Sequence, residues 1–81
     1  MKIKLIQGNF NPKDAIDLLI LLTHAKIKFH ESKINIYCTK KDIDLHETEI
    51  RQLQKHLFQA RNFIEKQEEI INIQSEIYLN N

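Results

Sequence analysis

The chain of 81 residues contains no tryptophan and only one cysteine, one glycine and one proline. The single Cys38 excludes an internal disulfide and a four-cysteine zinc centre. A single glycine leaves no glycine-rich loop to cradle a phosphate. Neither sign of charge dominates: 12 basic residues face 11 acidic ones, a net charge of +1. Without a cationic field to neutralise phosphates, general DNA binding is not favoured. The longest apolar run, Leu18 to Leu22, is far shorter than the ~20 residues that cross a bilayer. The opening MKIKLIQGNF interleaves lysine with isoleucine instead of setting a positive end before an apolar block, so no signal peptide is expected. An unpaired thiol without an export signal fits the cytoplasm.

Isoleucine, lysine and asparagine supply 31 of the 81 residues. Their codons are AT-rich, which points to a bacterial genome of that composition. A chain this short buries only about 60% of its unfolded surface. With no disulfide to help, self-association is the expected support.

The second half of the chain carries the strongest pattern. Ile43, Ile50, Leu57, Ile64 and Ile71 recur every seven residues, with Leu53 and Ala60 at the intermediate positions. Spacings of three and four line one stripe of a long helix facing a partner, as in a coiled coil. Asp44 followed by Glu47 predicts the start of this helix, which is expected over residues 44–69.

The first helix opens at Asn11-Pro12-Lys13-Asp14. Asn11 accepts a free backbone N–H, Pro12 has no N–H to lose, and Asp14 suits the helix dipole. The helix is expected over 12–31. It carries two apolar stripes, one of Ala15, Leu18, Leu22, Ala25 and Phe29, the other of Ile16, Ile20, Thr23, Ile27 and Ile34. A helix this apolar around its circumference has to be covered on more than one side, with Leu22 and Phe29 expected between the helices against Leu53 and Leu57. Leu18–Leu22 also matches the LxxLL pattern of groove-docking helices, and is read as core instead.

Residues 2–7 alternate in polarity and predict a strand with Ile3 and Leu5 on one face and Lys2, Lys4 and Ile6 on the other, ended by Gly8 and Asn9. Residues 71–79 predict a second strand with Ile71, Ile73, Ile77 and Leu79 on one face. Residues 32–43 form the connection. The fold class is therefore α+β in the order β-α-α-β. An antiparallel two-helix hairpin has its terminal strands paired antiparallel beside it, and two copies joined edge to edge would make a four-stranded sheet in a homodimer.

Helices that turn near residue 37 bring His30 and His46 together, with Cys38 nearby, a donor set of the kind that binds transition metals. The spacing matches no metal motif, and polar closure of the hairpin end is the simpler reading. His46 and Gln67 take inner positions of the second helix, where polar residues set register. Lys26, Lys28, Lys33, Lys40 and Lys41 gather toward the same tip, a modest cationic end for nucleic acid or an acidic partner. Phe58 and Phe63 flank the second seam and mark a contact surface if exposed. Tyr37 and Tyr78 read as structural. No catalytic constellation and no cofactor are implied. The expected function is a small non-catalytic interaction or scaffold protein. A nucleic-acid accessory role at the lysine-rich tip is the alternative, and a metal-dependent sensor at that tip is weaker still.

Overall fold

The computed structural model describes all 81 residues as β1 (Lys2–Phe10), α1 (Pro12–Lys33), α2 (Lys40–Glu65) and β2 (Ile71–Tyr78). The two strands form one antiparallel two-stranded sheet. The two helices are antiparallel: His30 of α1 meets His46 of α2, while Leu19 and Thr23 meet Leu53, Leu57 and Ala60.

Helix α1 begins where its sequence signals it. The Asn11 side chain accepts from the Asp14 backbone N–H at 2.8 Å, and its amide donates back to the Asp14 carboxylate at 3.1 Å. Helix α2 starts four residues before the expected position. Thr39 is its cap, accepting from the Asp42 N–H at 3.2 Å, so the Asp44–Glu47 pair lies inside the helix. Thr39 and Asp42 supply the same pattern of a capping oxygen followed three residues later by an acid, five residues earlier, and the connection shrinks to residues 34–39. The helix ends at Glu65, short of residue 69. Gln67 consequently lies beyond the helix, its backbone N–H bonded to the Ile64 carbonyl. Ile71 keeps the heptad count but stands in β2 opposite Phe10.

The first strand runs past Gly8 and Asn9 to Phe10. Both residues stay in the ladder because β2 continues opposite them: Gly8 faces Ile73, and Asn9 faces Asn72, whose side-chain amide donates to Asn9 Oδ1 at 2.9 Å. The register shifts between Lys4 and Ile6, a bulge that leaves Leu5 without a partner. The extra residue turns Ile6 onto the same face as Ile3, Gly8 and Phe10, opposite to its expected side. The other face is polar, with Lys4 against Glu76, Gln7 against Gln74 and Asn9 against Asn72.

The α2 seam is as its spacing predicts: Ile43, Ile50, Leu53, Leu57 and Ala60 are half-buried and Ile64 is buried. On α1 the stripe that faces it is Ile16, Ile20, Thr23, Ile27 and Ile34, with His30 completing the spacing. Phe29, expected between the helices, is instead 54% exposed on the far side of α1. Both α1 stripes have helical spacing, and only one can face a single partner helix.

The Cα atoms span 47 × 31 × 13 Å. The thin third dimension leaves little interior. Only Ala15, Ile64 and His30 are buried.

Candidate interaction surface

The residues left uncovered by this plate define its candidate site. Helix α1 turns Leu18, Leu22, Ala25 and Phe29 away from α2, half a turn from the stripe that α2 covers. Leu18 and Leu22 are half-buried, Ala25 is exposed, and Leu21 on the same side is 68% exposed. The Lys33 ammonium lies 5.4 Å from the centre of the Phe29 ring, over its face, which adds a cationic rim. The expected reading of Leu18–Leu22 as core is thus corrected at Leu21, which projects from the helix because its neighbours already serve the two stripes.

Phe58 and Phe63 are 67% and 62% exposed on α2. They lie on opposite flanks of the α2 seam, five residues apart, so they do not form one patch. Phe58 instead borders an open groove with His24 and Ile27 of α1 and Gln54 and Arg61 of α2. At the tip, Ile36 and Tyr37 stand almost fully exposed. Tyr37 is therefore not a packing residue: a connection of six residues closes the hairpin with nothing above it. Tyr78 is exposed as well, on the polar side of the sheet.

The expected meeting of His30 and His46 is present. Their Nδ1 atoms are 3.0 Å apart and their ring centres 5.2 Å apart. Phe29 packs edge-on against the His30 ring. His30 Nε2 is buried with no hydrogen-bond partner. Cys38 does not join the pair: its thiol donates to the Lys33 carbonyl at 2.8 Å. No group of three or more His, Cys, Asp or Glu side chains stands together. The two rings meet by a hydrogen bond, one ring nitrogen donating and the other accepting.

Lys26, Lys28, Lys33, Lys40 and Lys41 are all exposed. Lys40 and Lys41 share their surface hollow with Asp44 and Glu49, so that part of the tip is of mixed sign. No helix is long and apolar enough to cross a membrane. On the sheet, the Tyr78 hydroxyl donates to the Glu76 carboxylate, which holds the phenol above its usual range.

Among the exposed apolar residues, Leu21, Ile36, Leu45 and Leu79 were not singled out as surface residues by the sequence. Leu21 carried a signal: it belongs to neither of the two α1 stripes. Leu45 likewise lies off the α2 seam. No protein-family model matches the chain, and no curated protein or solved structure matches it.

Proposed function

We propose that this chain is a small non-catalytic interaction module of the cytoplasm that works as a homodimer, a scaffold whose folded form is completed by a second copy. The observation that carries this reading is the surface the single chain leaves exposed. A compact protein of 9.7 kDa has an accessible surface of about 5,100 Å². This chain exposes 6681 Å². The surplus of about 1,500 Å² exceeds the ~800 Å² each partner contributes to a standard interface. Its radius of gyration is 15.3 Å, against about 12 Å for a compact chain of this length.

The surplus is apolar in large part. Leu21, Phe29, Phe58, Phe63 and Leu79 are all exposed. Of these, Leu21 and Phe29 share the outer side of α1 with Leu18 and Leu22, and an exposed apolar strip of that kind supports protein–protein contact. Both long edges of the two-stranded sheet are also open, which supports pairing between copies.

Light scattering on the purified chain tests the reading. A dimer of constant mass from 0.05 to 0.5 M salt is the expected result, and a monomer at micromolar concentration would refute it. Titration of labelled single- and double-stranded nucleic acid separates the alternative at the tip lysines. Steeply salt-dependent binding there would favour it over the scaffold.

A further inference from the structure

We propose that the second copy docks along the outer face of α1, with the two α1 helices antiparallel and crossing level with residues 23–24. This inference rests on the homodimer reading and names its contact. Leu18, Leu22, Ala25 and Phe29 repeat at spacings of four, three and four on the side of α1 turned away from α2. That is the spacing of a helix–helix seam, and nothing in the chain fills it beyond the half-covered Leu18 and Leu22.

The pattern specifies a copy of itself in the antiparallel sense. About a two-fold axis between residues 23 and 24, Leu22 lies against the partner's Ala25, and Leu18 against the partner's Phe29. Large then meets small at the crossing, which lets the two backbones approach. The flanking charges select the direction. Asp14 and Asp17 lie in the first half of α1, and Lys26, Lys28 and Lys33 in the second. Asp17 and Lys28 are eleven residues apart, three helical turns, so both border the seam on the same side. Antiparallel docking sets Asp17 beside the partner's Lys28, and by symmetry the pair forms twice. Parallel docking in register would carry Asp17 and Lys28 to opposite flanks of the contact, where the pair does not form. Lys13 and Glu31 have the reverse polarity, but they lie more than a third of a turn from the seam centre.

The net charge of +1 leaves little repulsion between copies. The surplus surface is large enough to supply such a contact. A partner of other chemistry would have no reason to match the order of charges along α1.

Sedimentation equilibrium on the full chain tests the proposal. Leu21→Glu, at an already exposed position, is expected to raise the dimer dissociation constant at least a hundredfold. Asp17→Lys is expected to raise it about tenfold, and D17K/K28D to restore it to within about twofold. Phe58→Glu, on the groove side of α2, is expected to leave it unchanged. The charge reversal keeps the test valid should Leu21→Glu unfold the chain, because Asp17 and Lys28 are both exposed. A dimer indifferent to Leu21→Glu and Asp17→Lys would overturn the α1 contact while leaving the homodimer intact through its sheet edges. A wild-type monomer at micromolar concentration would remove both readings together.

Discussion

His30 and His46 face each other Nδ1 to Nδ1 at 3.0 Å, one from each helix, while the other ring nitrogen of His30 is buried without a partner. An apolar neighbour in place of either ring would strand the Nδ1 of the other, which disfavours registers that separate the two rings.

Removing one ring and removing both have opposite consequences. His46→Ala leaves His30 with neither ring nitrogen bonded, and is expected to destabilise the chain by about 1–3 kcal/mol. The double change H30L/H46L removes every unsatisfied polar atom at the site and is expected to match or exceed the wild type. Urea unfolding of the three proteins measures both. Destabilisation by the double change as large as by the single one would show that the hydrogen bond itself, not the buried polarity, dominates.

The cap at Thr39 should carry α2. Its side chain holds the Asp42 N–H, and Thr39→Ala is expected to cost about 1 kcal/mol, read as a lower thermal midpoint by circular dichroism. Asp44→Ala, at the position expected from sequence to cap the helix, should change stability by less than about 0.5 kcal/mol.

Ile64 is the most buried large side chain of α2, at 3% exposure. Ile64→Ala is expected to cost about 2–5 kcal/mol. Such a loss is a large part of the stability of a chain this small, so the expected readout is a broad, early unfolding transition at 25 °C.

Gly8 sits in the strand with no left-handed backbone to justify it. A Cβ there would lie 3.7 Å from the Phe10 ring, an ordinary contact. Gly8→Ala is therefore expected to stabilise the chain by about 0.4–1 kcal/mol, mainly by restricting the unfolded state. A lower urea midpoint for this variant would contradict it.

Tyr78 gives the pH dependence. Its hydroxyl donates to Glu76, which raises its pKa, so the protonated form is favoured in the fold. The contribution is complete below the ordinary phenol value of about 10 and is lost as pH rises through the higher folded value. In a Tyr37→Phe background, tyrosinate absorbance should titrate above that ordinary value, and Glu76→Gln should bring it back down.

Local chemistry made several parts of this protein readable in advance. The heptad of α2 from Ile43 to Ile64 names its own buried face, because helical geometry leaves no second choice. Asn11, Pro12 and Asp14 mark the start of α1 for equally local reasons. The encounter of His30 with His46 follows from the length of the turn. The caps of α2 were less legible, since Thr39 with Asp42 and Asp44 with Glu47 offer the same signal five residues apart.

What the amino-acid order determined by itself, then, is the identity of the four elements and the inner face of α2, since both rest on backbone periodicity and on groups a few residues apart. Tertiary pairing alone decided the rest. Two apolar stripes on α1 compete for one partner helix; α2 covers the Ile16–Ile27 stripe, beside which His30 meets His46, and leaves Phe29 outside. In the same way Ile6 turned inward only because β2 runs unbroken past the bulge at Leu5. Each of these outcomes is a choice between near-equal local patterns, and only contact with a distant segment separates them in free energy.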